Sequence, residues 1–286
     1  MNTAFLSVFG AAVLFASAGL ATGFAADASS VSLAISRTLF GGLALILWSG
    51  PRTFARTLLS VDRTLLLTAA IAMALFQWSY FAAVHRAGVG PATLASAAAA
   101  PFFADVIAVM RGHAPVTTRM LLRTAVIALL LVILVMQAPS GIALATCSAA
   151  MYAGYAAAAS SLERSHMKAG LHATTASLVI AGVFLLVVSD FDVRVFGSVR
   201  EALVSAYLAL VATALAYALF VSALREMTTA CALLVLLVQP LVAVLGGVLL
   251  LREPLNFPLF AASVTAVLAL AADGISKQLH QGGNHD

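Results

Sequence analysis

Apolar runs of about 18–24 residues follow one another from end to end of this chain, a length that spans the hydrocarbon core of a bilayer as a helix. In lipid every backbone N–H and C=O must be satisfied internally, so such runs are helices. Ten are expected, near 3–25, 31–49, 64–84, 92–110, 119–137, 140–162, 171–189, 202–224, 229–251 and 257–276. The breaks carry turn residues or charge, as at Gly88-Val89-Gly90-Pro91, Gly50-Pro51-Arg52 and Ala138-Pro139-Ser140-Gly141. Composition agrees: 9% of residues are charged, against about a quarter in ordinary soluble domains. The fold class expected is an all-α integral membrane protein with ten transmembrane helices and no soluble domain. Asn2 and Thr3 precede the first run without a basic segment, so no cleavable signal peptide is expected.

The chain repeats itself. Residues 83–115 and 222–254 align at an offset of 139, which sets Arg86 on Arg225, Pro101 on Pro240, Ala104 on Ala243 and Pro115 on Pro254. The division expected is a first five-helix repeat at 1–138 and a second at 139–286 with a short tail. Lysine and arginine set the orientation. With the amino terminus inside, inside segments hold ten basic residues, from Arg52 to Lys277, and outside loops hold four: Arg86, Arg194, Arg200 and Arg252. Both termini are therefore expected in the cytoplasm. Five helices per repeat is an odd number, so the second repeat enters the membrane upside down. Inverted pairs of this kind serve alternating access around a midplane site.

The stretches "RTLFGGLALIL" and "ALREMTTACALLVLLVQPLVAVLGGVLLLREPL" resemble the drug/metabolite transporter superfamily, EamA-type. The mid-helix proline and following glutamate of that family match Pro240, Glu253 and Pro254, and Pro101 matches in the first repeat. Ala114 stands where the first repeat's glutamate would be, so Glu253 is read as a helix-end group. The resemblance implies a metabolite carrier. Length and compact loops are similar to those of the bacterial amino-acid exporters of the YddG kind.

Few polar or aromatic residues lie away from the helix ends. Gln77, Trp78, Ser79 and Tyr80 fall in the helix at 64–84, and Tyr217 is the repeat equivalent of Trp78. The inversion sets Trp78 and Tyr217 about 6 Å to opposite sides of their helix centres, where they bracket a cavity. Tyr152 and Tyr155 share a face with Ser148, and Gln239 precedes Pro240 at depth. Gln77 and Gln239 must be buried against protein or water, since lipid would leave their amides unpaired. Trp48, at a helix end, suits the interfacial belt. Pro101 and Pro240, read at mid-helix, are expected to kink their helices as hinge or cavity wall. A stripe of small residues, Ala92, Ser96, Ala100, Ala104 and Ala108, allows close helix approach.

Two charges lie inside helices. Arg37 sits about two turns from an outer end. It either snorkels or offers a carboxylate-binding charge. The family resemblance, which includes a second-helix arginine, favours the latter. Asp105 lies roughly 20 Å from the outer end of its helix, and Val244 is its repeat equivalent, so no matching carboxylate serves the other half. It is read as structural, with proton coupling the alternative.

The substrate-binding set expected is therefore Trp78, Gln77, Tyr80, Tyr152, Tyr155, Tyr217, Gln239 and Arg37, with Pro101 and Pro240 as hinge and Asp105 apart. His-Glu-x-x-His and Gly-x-Ser-x-Gly motifs are absent, so no enzyme, metal or cofactor is expected. Cys147 and Cys231 lie in apolar runs and read as packing residues. A net charge of +4 spread over short loops is no nucleic-acid signal. The partners expected are a small-molecule substrate and the lipid bilayer, with the protein as a monomer in a bacterial-type inner membrane. Aromatic walls with few charges suit a neutral or zwitterionic, partly apolar cargo such as an aromatic or neutral amino acid. A multidrug exporter is the alternative, and a channel the more distant one.

The orientation is directly testable. Single cysteines in the loops at Asp27, Pro139 and Arg194, in a background lacking Cys147 and Cys231, should react with an impermeant thiol reagent on intact cells. Protection of all three would reverse the assignment.

Overall fold

A computed structural model of the protein describes residues 2–25, 27–113, 115–136, 138–165, 170–191, 197–223, 235–236, 238–253, 261, 264–265 and 268. It is all α-helical over these residues. In chain order the helices are α1 (Asn2–Thr22), α2 (Ser30–Ser49), α3 (Pro51–Ser60), α4 (Arg63–Ala87), α5 (Val89–Met110), α6 (Thr118–Val135), α7 (Pro139–Ser165) and α8 (Gly170–Val188). Next comes α9, which runs from Val199–Ala209 through Leu210–Leu215 to Ala216–Ala223, and then α10 (Gln239–Leu251). Among the described residues seven helices are long and apolar enough to cross a membrane: α1, α2, α4, α5, α7, α8 and α9. The shorter apolar helices α6 and α10 flank them. The expected helix at 257–276 lies almost wholly outside the described residues, as do Cys231 and the loop at Arg194.

Helix α3 was not expected. Gly50, at φ +93°, does end α2, but Pro51 then occupies the first position of a new helix, where its fixed φ and missing N–H cost nothing. Polar Arg52 and Arg56 alternate with Phe54 and Leu58 to give one wet and one apolar face, the pattern of a helix lying in the membrane interface. A second difference concerns Pro240. It falls in the first turn of α10, after a turn at Val238, and so opens this helix instead of bending its middle. Pro101 does lie inside α5.

The helices interleave the two halves of the chain. Helix α7 packs along α4 and α5, while α1 packs against α9 and α10. Helix α2 packs on α8 and α9, and α4 on α8. The largest core cluster takes Leu33, Ile35, Met73, Phe81, Ile142, Leu178 and Leu208 from five of these helices.

One end of the bundle, where α1, α4 and α10 finish and α5 and α7 begin, is packed to near contact. A Cβ on Gly90 would meet Val244 at 3.2 Å, and one on Gly141 would meet the backbone N of Ala87 at 2.9 Å. Gly88, at φ +87°, makes the reversal between α4 and α5 in a conformation that a side chain resists. The Glu253 carboxylate then accepts a hydrogen bond from the Val89 N–H at 2.8 Å. That N–H is one of the donors a helix start leaves unpaired, and negative charge there also faces the positive end of the helix dipole. Glu253 is thus a helix-end group, but for α5 and not for its own helix.

Glu253→Ala should therefore lower stability by about 1–2 kcal/mol, because it leaves a buried donor unpaired. Glu253→Gln, which keeps an acceptor, should cost less. Thermal unfolding in detergent reads both, and equal melting of wild type and the alanine variant would contradict the cap.

Candidate functional site

The site grows from an irregularity in α2. Ser36–Phe40 is wound as a π-helix. Hydroxyls of this helix bond back to carbonyls a turn earlier, Ser36 to Ser32 O at 2.9 Å and Thr38 to Ala34 O at 2.7 Å. Such back-bonding competes with regular helix bonds and bends helices. Helix α9 carries a second π segment, Leu210–Leu215, and the two segments touch. Ser205 donates to Ser36 across this contact at 2.8 Å. Wide π turns inside α-helices recur at functional sites because they re-aim a side chain.

Here the side chain is Arg37, which is 6% exposed. Snorkelling to an interface is therefore ruled out as its placement. Its guanidinium lies 6.0 Å from the centre of the Phe15 ring and within electrostatic reach of Tyr217, Tyr80 and Tyr152. Among the described residues no carboxylate pairs with it, and its Nε has no hydrogen-bond partner. Gln77 Oε1 on α4 and Thr213 Oγ1 in the α9 π segment are also buried and unpaired, as is His172 Nδ1 on α8. An unpaired buried polar atom is costly, and each asks for a partner.

Aromatic rings surround the guanidinium. Phe15 meets Tyr217 edge-on at 5.0 Å. Phe76 lies 5.1 Å from Tyr152 and 6.4 Å from Tyr80, and Tyr152 lies 6.2 Å from Tyr155. Two tyrosine hydroxyls are already engaged, Tyr80 with Thr93 at 2.9 Å and Tyr155 with Thr174 at 3.0 Å. The structure therefore brings together Arg37, Tyr80, Tyr152 and Tyr217, with Tyr155 beside them; Gln77 is buried on α4 with its amide N–H on the Met73 sulfur. Phe15 and Phe76 belong to the group and were not singled out from the sequence. One phenylalanine in an apolar helix carries no signal, although Phe76 lies one turn from Tyr80.

Trp78 does not join the group. It is 39% exposed and continues the stripe of Leu67 and Ile71, also exposed, along the outer face of α4. Tyr152 is 37% exposed, but its ring sits among Phe76, Tyr155 and the reach of Arg37, so that surface opens into the bundle. Gln239 is half-buried at the start of α10, and Pro240 is buried beside it.

Asp105 has a partner of its own. It pairs with Arg123 of α6, and both are partly buried. Asp105 lies five residues before the end of α5 and Arg123 five residues after the start of α6, so the two helices set them side by side. From the sequence, Arg123 counts only among the inside basic residues, with no pairing to Asp105 expected. The Ser96 and Ser148 hydroxyls bridge α5 and α7 at 3.0 Å, where the small-residue stripe packs.

The fold and this site define a helical membrane protein with a polar, aromatic-walled centre. Residues 139–272 match the EamA-like transporter family. That part of the chain, a little under half of its length, is similar to an EamA-like transporter domain. A solved protein crystal structure is similar over 98% of this chain and 99% of its own, with a TM-score of 0.64 at 18% identity, a likeness of fold. No curated protein matches the chain.

The ion pair predicts non-additive stability. Asp105→Ala alone should cost about 1–2 kcal/mol by removing the Arg123 contact, and the loss in the Asp105→Ala/Arg123→Ala double variant should be smaller than the sum of the two single losses. Additive losses in thermal unfolding would mean that the two residues act independently.

Proposed function

We propose that the protein is a carrier that exports small amphipathic metabolites bearing a carboxylate, amino acids with aromatic or neutral side chains foremost. The observation that carries this is Arg37, a buried cation with no anionic partner among the described residues. An arginine buried in this way is expensive unless a ligand completes it. Its planar fork suits a carboxylate, while Phe15, Tyr152 and Tyr217 suit an apolar or cationic remainder of the same solute. A cationic drug would meet an uncompensated positive charge here, so the multidrug reading is the weaker one.

Two inverted halves would alternate access to this site. The packing supports that reading: α7 takes α4 and α5 as neighbours, as α1 takes α9 and α10, which is the exchange that an inverted duplication produces. The basic bias of the loops supports cytoplasmic termini in an inner membrane. The Asp105–Arg123 pair supports facilitated diffusion, because a carboxylate already held by arginine is a poor proton carrier.

Counterflow of labelled phenylalanine in proteoliposomes tests the proposal. Wild type should show saturable exchange, and Arg37→Gln should lower apparent affinity by roughly tenfold or more, the worth of a charge-assisted contact. An imposed pH gradient should not drive uphill movement. Non-saturating flux would indicate a channel, and unchanged affinity in Arg37→Gln would remove the carboxylate reading. Gradient-driven uptake lost in Asp105→Asn would make Asp105 the coupling group.

A further inference from the structure

A groove of about 300 Å³ lies on the flank of the bundle, away from Arg37. Leu20 and Ala21 of α1, with Phe24 just beyond its end, form one wall, Leu203 and Val204 of α9 the other, and Leu250 of α10 closes the side. The lining residues share one face of each helix: Ser17, Leu20 and Ala21 on α1, and Leu203, Val204 and Tyr207 on α9. The helices run antiparallel, since Ser17 and Tyr207 meet at the floor with a hydroxyl–hydroxyl bond of 2.7 Å. Ser17 also bonds to Leu14 O at 2.7 Å, so the floor offers no free polar atom. The groove therefore rises about 10 Å, at 1.5 Å per residue, from a satisfied floor to the helix ends.

Beyond this apolar lining, the adjoining helix ends carry arginines. Arg200 stands one turn above Leu203 on the same face, and Arg252 follows Leu250 by two residues, in the left-handed conformation that ends α10. Both arginines are exposed, and neither has an acidic partner among the described residues. Each has a glutamate next to it in sequence, yet both glutamates are occupied. Glu201 accepts from the Ser198 hydroxyl at 3.0 Å while Ser198 caps the Glu201 N–H at 3.2 Å, and Glu253 holds the start of α5. Both acids are engaged at helix ends, so among the described residues no acid neutralises the two arginines that flank this apolar slot in sequence.

We propose that this groove binds an anionic phospholipid, with one acyl chain lying between α1 and α9 and its phosphate held by Arg200 and Arg252. The vertical order is that of a lipid: charge at the helix ends, apolar walls beneath, and nothing polar left at the floor. Guanidinium forks pair with phosphate oxygens in two parallel bonds, so two of them select a phosphate over a neutral headgroup. The slot opens toward the surrounding bilayer, where Leu203 and Leu250 remain exposed.

The test uses the full chain, delipidated in detergent, with dioleoyl phosphatidylglycerol and dioleoylglycerol as probes that share acyl chains and differ in the phosphate. Native mass spectrometry counts bound lipid, and thermal unfolding reports stabilisation. Phosphatidylglycerol should bind as one retained copy and raise the melting temperature of wild type, and dioleoylglycerol should not. The Arg200→Gln/Arg252→Gln double variant should need roughly tenfold more phosphatidylglycerol for the same shift. Leu203→Trp, which fills the slot, should lose the shift as well. Equal effects of the two probes on wild type would overturn the proposal, whatever the variants do. So would a double variant that behaves as wild type, or a shift that survives Leu203→Trp, since phosphate would then bind without a chain in the groove.

Discussion

The centre of this bundle is organised around one guanidinium held out of water with no counter-ion among the described residues. Moving a charge into low dielectric costs several kcal/mol even after relaxation. The cost here is partly offset by the Phe15 face, with Tyr217, Tyr80 and Tyr152 nearby. None of these neutralises Arg37. A solute carboxylate would, and the Thr213 hydroxyl on α9 could donate to it. Unpaired polar atoms thus lie on elements from both halves of the chain, Arg37 Nε on α2, Gln77 Oε1 on α4 and Thr213 Oγ1 on α9. That is what a carrier needs, because binding energy is then available to favour one arrangement of the halves over another.

The backbone pays for this aim in two places. The π turns of α2 and α9 give up regular helix bonds, and hydroxyls of Ser36, Thr38 and Ser205 recover part of the loss. Elsewhere the fold is conservative. At the end where α4 meets α5, glycines bring backbones to near contact and Glu253 ties the carboxyl end of α10 to the start of α5. Rigid packing at one end and orphaned polar atoms at the centre are complementary parts of one design: the first holds the helices that must aim the second.

Much of the fold was legible in the sequence because run length and hydropathy are dictated by the bilayer itself. The runs expected near 3–25, 31–49, 64–84, 92–110, 140–162, 171–189 and 202–224 correspond to α1, α2, α4, α5, α7, α8 and α9. Amphipathic α3 escaped notice because its mean hydropathy is low and Pro51 reads equally well as a stop or a start. Pro240 was set at mid-helix since an apolar run does not reveal where a turn interrupts it. For the site, Arg37 stood out by its rarity in an apolar run. The choice between Trp78 and Tyr80 did not, because they are two residues apart and only the packing of α4 decides which faces inward. The Asp105–Arg123 pair was hidden by counting charges along the chain instead of across the turn that joins α5 to α6.

The central claim is that Arg37 waits for a carboxylate. Calorimetric titration of the purified protein with phenylalanine and with phenethylamine, which lacks only the carboxylate, tests it most directly. The account predicts that phenylalanine binds and phenethylamine does not bind measurably, and that the difference disappears in Arg37→Gln. Equal binding of the two ligands to wild type, or a preference that persists without Arg37, would contradict it.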